Sequence, residues 1–202
     1  MSYLKREERH AAILEAAIRV TLAEGIVATT VRRIAAEAGI AVGQVNHHFS
    51  SATHLRAEAF LQLTRQSLSS FAAISKSYPA VERLQRVLGY PLDEEGMRET
   101  HLWNEMMLLA ERDPVMGEAY ATAISDWHQA TANVIVEGRN EKIFRSSANA
   151  DDIAWRLIGL VCGLDGLLSF DSSGFPEAEV MRHLSFAIEL ELLCPPPHNL
   201  MV

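Results

Sequence analysis

The chain has 202 residues, 49% hydrophobic and 22% charged, with a formal net charge of -8. That hydrophobic share excludes a disordered chain, and the length suits one large domain or a small domain fused to a larger one. The charge is uneven: residues 1–50 carry six Lys/Arg against five acids, whereas the remainder carries 12 against 21, so only the N-terminal part is electrostatically suited to face phosphate.

The N-terminal MSYLKREERH has no apolar stretch of the kind a secretory signal needs. The longest apolar run, 157–170, is too short to cross a bilayer and contains Asp165, which argues against a membrane span. Cys162 and Cys194 lack a metal-ligand spacing, and Cys162 reads as a buried thiol. These features predict a cytoplasmic protein with no metal and no cofactor.

The elements follow in chain order. Ile13, Ala16, Ala17 and Val20 recur at helical spacing, so 9–24 reads as a helix that Gly25 ends. Thr29 or Thr30 caps a short helix through Val31, Ile34, Ala35 and Ala38, closed by Gly39. A four-residue turn, 39–42, leads to a third short helix ending near His48. Ser51 or Thr53 then caps a longer helix with Ala57, Phe60, Leu61, Thr64, Leu68 and Phe71 as its inner stripe. Further helices are expected from Pro79 to about Leu88, over 97–112, and from the Asp113-Pro114 cap to about Glu137. Residues 138–149 are polar and read as a loop. Helices over 151–170, apolar nearly all round, and from Pro176 to about Leu193 complete the chain, which Pro195 to Pro197 prevent from continuing. No segment alternates with the period of a strand. The fold class is therefore all-α with about nine helices, divided into a DNA-binding domain (1–50) and a ligand-binding and dimerisation domain (51–202).

Two short helices joined by a glycine-containing turn make a helix-turn-helix signature. The first 55 or so residues carry more than that. ILEAA at 13–17, Gly25, TTVRRIA at 29–35, AGI at 38–40, NHHF at 46–49 and Leu55 together resemble the tetracycline-repressor (TetR) family. The IGLVCGLDGLL run within 154–170 resembles the choline-responsive betaine-pathway repressors of that family. The resemblance implies a ligand-responsive repressor that binds a palindromic operator in double-stranded DNA as a homodimer and is released by a small-molecule inducer. Activation in place of repression stays open.

By the same resemblance Arg32 stands where a base-reading arginine can occur, able to bridge guanine O6 and N7. Gln44 lies on the exposed face of the third helix, where its amide can pair with adenine. His47 and His48 hold positions that meet the DNA backbone or a thymine edge, and Thr30 offers its hydroxyl and amide to a phosphate. Arg33 is read equally as a DNA contact or a solvated surface residue. Two departures bear on affinity: Asn46 stands where the family usually has Tyr, and Ala52 where it usually has Lys. Losing that lysine should lower the salt slope by about one unit. These departures motivate a second reading, a helical interaction module that has lost strong operator binding.

The chain is not expected to be an enzyme, since it has no HExxH, no Gly-rich phosphate loop and no GxSxG. His101 and Glu105, at i, i+4, read as a helix-surface pair. For the dimer, Leu157, Leu160, Leu164 and Leu168 of the eighth helix, with Val180, Leu184 and Ile188 of the last, are expected to form a bundle with a second copy. For the inducer, Trp103, Glu105, Met107, Tyr120, Trp127, Asp165 and Phe170 are candidate lining residues. Asp165 interrupts an apolar helix, where a carboxylate needs a partner: either an arginine such as Arg156 or a ligand. Acids among aromatics suit an organic cation.

Overall fold

The computed structural model describes residues 3–91, 93–169 and 174–193. Among these there are nine α helices and no strand: α1 (Tyr3–Glu24), α2 (Val31–Ala38), α3 (Val42–His48), α4 (Ala52–Ile74), α5 (Ala80–Val87), α6 (Glu94–Ala110), α7 (Pro114–Asn140), α8 (Ala150–Leu168) and α9 (Glu177–Ile188). A 3-10 turn, Ser75–Ser77, follows α4, and a π-helical turn, Glu189–Leu193, extends α9. The expected order of helices is found. The differences lie at the ends: α1 starts six residues earlier, at Tyr3, and α7 runs three residues past Glu137.

Local chemistry sets several of these ends. The Thr30 backbone is extended, and its Oγ1 accepts the Arg33 N–H at 3.2 Å, so Thr30 is the N-cap of α2. Thr29 is buried instead, exchanging a hydrogen bond with the Thr21 hydroxyl and donating to the Gly25 carbonyl. Gly39 closes α2 at φ +65°, and the Ile40 N–H reaches back to the Ala35 carbonyl. Ser51 Oγ accepts the His54 N–H at the head of α4. Asp113 accepts the Val115 N–H at the head of α7, and Asn149 the Asp151 N–H at the head of α8.

The contacts divide the chain into two compact units. The first comprises 1–67 and 98–124, the second 68–97 and 125–202. The boundary expected near residue 50 thus falls inside the first unit.

In the first unit α1 packs on α2 and α2 on α3. Its core joins Ile13, Ala16 and Ala17 of α1, Ile34 of α2, Val45 of α3, Leu55 and Phe60 of α4, Leu102 and Met106 of α6, and Met116 and Ala123 of α7. Seven residues are too few to hold a helix in water, so α3 depends on tertiary anchors. Its one buried residue, Val45, and Phe49 just beyond it supply them. Burying one such side chain is worth about 1.5–3 kcal/mol. The remaining faces of α3 are left free for other work.

In the second unit α9 packs on α8 and on α5. The end of α9 is tied down by the Arg145 N–H to the Leu192 carbonyl and by the paired hydrogen bonds of Arg156 to Glu191 at 2.6 and 2.8 Å. Phe144 lies so close over Gly138 of α7 that a Cβ there would fall 2.3 Å from its ring.

Candidate nucleic-acid interface and ligand site

Around α3 the side chains sort into anchors and free groups. Val45 points inward, whereas Val42, Gln44, Asn46 and His47 are exposed. Arg32, on α2, is exposed and has no ion pair among the described residues. Thr30 uses one lone pair on the cap, which leaves its hydroxyl proton able to reach an outside acceptor. Arg33 is different. Its guanidinium is taken by Glu24 at 2.6 Å and Glu37 at 3.1 Å, and Glu37 also holds Arg19. These carboxylates raise the Arg33 pKa above its ordinary value. A guanidinium so neutralised is poorly placed to bind phosphate, so Arg33 belongs to the bracing of α1 against α2.

His48 sits half-buried at the end of α3, with Nδ1 enclosed and unbonded. Burial, and then the neighbouring His47, His10, Arg6 and Arg9, lower its pKa, which favours the neutral ring. His10 stacks on Phe49 at 4.4 Å and meets Glu58 at 3.5 Å, which ties α1 to α4. His47 is the exposed member of this group.

The seven inducer candidates do not share one environment. Trp103 and Tyr120 meet edge to face at 5.8 Å, and Trp103 meets Phe60 at 5.1 Å, all packed on the core of the first unit. Met107 lies on the exposed side of α6. Glu105 is committed elsewhere: its two oxygens accept the Ile26 and Val27 N–H groups at 2.7 and 2.8 Å. It is therefore not available to a ligand, nor does it form the expected pair with His101. Phe170 lies outside the described residues.

Trp127 and Asp165 belong to the second unit. Trp127 donates through Nε1 to the Val87 carbonyl at 2.6 Å, at the end of α5. Asp165 accepts from the hydroxyl of Tyr90, three residues beyond Val87. Arg156, one of the two alternatives for Asp165 beside a ligand, is engaged with Glu191 instead. Among the described residues no cationic side chain meets the Asp165 carboxylate. Burial raises its pKa to about 6, against the opposing effect of the Tyr90 hydrogen bond. Burial, then Asp165, likewise raises the Tyr90 pKa, so its proton stays on the tyrosine. The sequence reading missed Tyr90 because it lies in a loop, where helical periodicity gives no sign of an inward-facing side chain.

Residues 13–59 match the tetR family of bacterial regulatory proteins, and residues 79–193 match the C-terminal region of BetI-type transcriptional repressors. The HTH-type transcriptional regulator PksA of Bacillus subtilis (strain 168) is 30% identical over 165 residues, covering 80% of this chain and 78% of that protein. The chain belongs to the TetR family. A transcriptional regulator from Saccharomonospora viridis, solved in complex with choline, is 25% identical with a TM-score of 0.73, covering 92% of this chain and 98% of that one. A TetR-family regulator from Rhodococcus sp. shares the fold with a TM-score of 0.75 at 23% identity, covering 92% and 99%. This protein is thus a TetR-family transcriptional regulator and not an enzyme.

Leu157, Leu164, Val180, Leu184 and Ile188, expected at a dimer interface, are buried inside the second unit. Leu160 and Leu168 are half-buried. The five buried side chains are already covered within one chain, which corrects their assignment to an outer face, whereas Leu160 and Leu168 keep part of their surface outside. The apolar groups left outside are Trp155 (47% exposed) and Leu167 (48%) on α8, Phe186 (64%) on α9 and Leu190 (61%) on the π turn. Gly159, Cys162 and Gly163 lie on the same exposed side of α8. Cys162 is thus at the surface, not in the core. No helix among the described residues is long and apolar enough to cross a membrane.

Proposed function

We propose that this TetR-family regulator is a ligand-responsive repressor that binds a palindromic operator as a homodimer and is released by an organic cation. The observation that carries the operator half is the free face of α3. Gln44, Asn46 and His47, with Arg32 of α2 beside the Thr30 cap, are exposed while Val45 and Phe49 anchor the helix. An exposed polar helix face flanked by a guanidinium and a capped helix start suits base edges and phosphate. One such helix reads few base pairs, so two copies on a two-fold site supply both affinity and site length. The domain assignment that follows is DNA reading by 1–50 and ligand binding and dimerisation by 51–202.

The dimer surface in this reading takes in the exposed apolar side chains of Trp155, Leu167, Phe186 and Leu190, which a second copy would cover to make a bundle of α8 and α9 from each chain.

The inducer half rests on Asp165. A half-buried carboxylate with a tyrosine hydroxyl as its described partner, and with no cationic side chain against it among the described residues, fits a permanently charged ammonium group. The choline bound by the Saccharomonospora viridis regulator makes choline the first probe to use. The test is a shift of duplex DNA from upstream of the chain's own gene, without and with choline. The expected result is a retarded complex that choline dissolves. A chain that shifts no DNA would favour a helical interaction module that has lost operator binding, the reading that Asn46 and Ala52 motivate.

A further inference from the structure

The turn from Gly25 to Thr30 leads straight into the N-cap of α2, and α2 carries α3 through the Gly39 turn. Whatever fixes that turn fixes the heading of the reading helix. Two charged side chains of opposite sign hold its backbone. From α6, the Glu105 carboxylate takes the Ile26 N–H at 2.7 Å with one oxygen and the Val27 N–H at 2.8 Å with the other. From α4, Arg56 donates through Nε to the Thr29 carbonyl at 3.0 Å and through Nη2 to the Val27 carbonyl at 3.4 Å. The anion meets donors and the cation meets acceptors, so each group stabilises the end of the peptide dipole it faces. Gly25 is shaped to this grip. Its φ is +89°, and a Cβ there would stand 3.0 Å from Glu105 Oε2.

We infer that Glu105 is a positioning residue for operator binding: by gripping two adjacent amides of the 25–30 turn, it holds α2 and α3 at the heading that DNA requires. The inference rests on the operator-binding reading. Glu105 does not touch DNA in this account, because its oxygens are filled by the chain's own backbone. It acts through the turn. Its own helix is held two residues earlier, where Trp103 packs against Phe60 and Tyr120. A small displacement of α6 at this point therefore reaches the turn through short, charge-assisted bonds and not through a soft contact.

The test uses the full chain, a duplex recovered from random DNA by selection with the wild-type protein, and a scrambled duplex of equal length. Fluorescence anisotropy gives both affinities for wild type, Glu105→Ala and Glu105→Gln. Hydrogen exchange is followed over 25–48 and over 150–193. Losing a hydrogen bond to a charged group predicts that Glu105→Ala binds the selected duplex about 10-fold or more weakly. Glu105→Gln, which keeps one acceptor oxygen, should fall between, and both variants should bind the scrambled duplex as wild type does. Exchange should quicken over 25–48 and stay unchanged over 150–193. If Glu105→Ala does not fold, the same comparison on Glu105→Gln decides. Undiminished preference for the selected duplex overturns the inference alone. So does a loss shared equally by both duplexes with faster exchange in both regions, which would mark a general loss of structure. A wild-type chain that selects no duplex overturns the operator reading, and this inference with it.

Discussion

The Tyr90 hydroxyl donates a hydrogen bond to the carboxylate of Asp165, 75 positions further along the chain. This contact joins the loop after α5 to the acid that interrupts α8 beyond its first turn. Removing the charge tests what the acid costs. The folded carboxyl has its pKa raised to about 6 from an ordinary 3.8, so the native state binds more protons than the unfolded state between those values. Stability from this group therefore falls as pH rises from about 4 to about 6 and stays low above. Asp165→Asn should raise the melting temperature of the ligand-free protein at pH 7.5. The gap to wild type should be worth at most about 3 kcal/mol and should close below about pH 4. Thermal melts across pH check this, and a variant less stable than wild type at pH 7.5 would contradict it.

Ligand binding should show the opposite sign. A cation binds the ionised carboxylate, so choline affinity should rise with pH through about 6 and vanish in Asp165→Asn. Tyr90→Phe removes the hydrogen bond that favours the ionised form and should move the binding curve to higher pH. Calorimetric titrations at three pH values decide. Binding of choline by Asp165→Asn as by wild type would remove the carboxylate from the site.

The two faces of α9 should respond differently to charge. Phe186→Glu places a charge on an exposed apolar surface and should yield folded monomers by sedimentation. Leu184→Asp places an unpaired carboxylate in the core of one chain and should lower its melting temperature whatever the oligomeric state. Dimers unchanged by Phe186→Glu and by Leu190→Asp would place the interface elsewhere.

On the DNA side, Arg32→Ala and Gln44→Ala should each weaken operator binding by about 1–3 kcal/mol if they make paired contacts to bases. Arg33→Ala should leave base preference unchanged, because its guanidinium is already bound by Glu24 and Glu37. Site-selection profiles of the three variants separate these outcomes.

Restoring a cation at the head of α4 tests the departure at Ala52. The helix begins at this residue, so Ala52→Lys should add one phosphate contact. The salt slope of log K should steepen by about one unit with base preference unaltered. An unchanged slope would mean that this end of α4 lies away from the DNA backbone.

The helix-turn-helix was legible because local rules wrote it. Thr30 as a cap, Gly39 at a positive φ and the spacing of Ile13, Ala16 and Ala17 act within a few residues of one another. The engagements of the charged residues were not legible. Glu105 meets amides 78 and 79 positions away, and Asp165 meets a tyrosine 75 away. No periodicity records such pairs. The orientation of α8 was also hidden. A helix apolar on nearly all sides must be covered on all sides, but its sequence does not say which side its own chain covers. Leu157 and Leu164 proved to be inside, and Trp155 and Leu167 outside.

The most direct test of the account is selection of binding sites from random duplex DNA by the full-length protein at moderate salt. The free face of α3, presented twice by a symmetric dimer, predicts recovery of a palindrome: two inverted half-sites whose centres are about one helical turn apart, or a multiple of it. Recovery of no sequence above background, or of a lone half-site without its inverted partner, would contradict it.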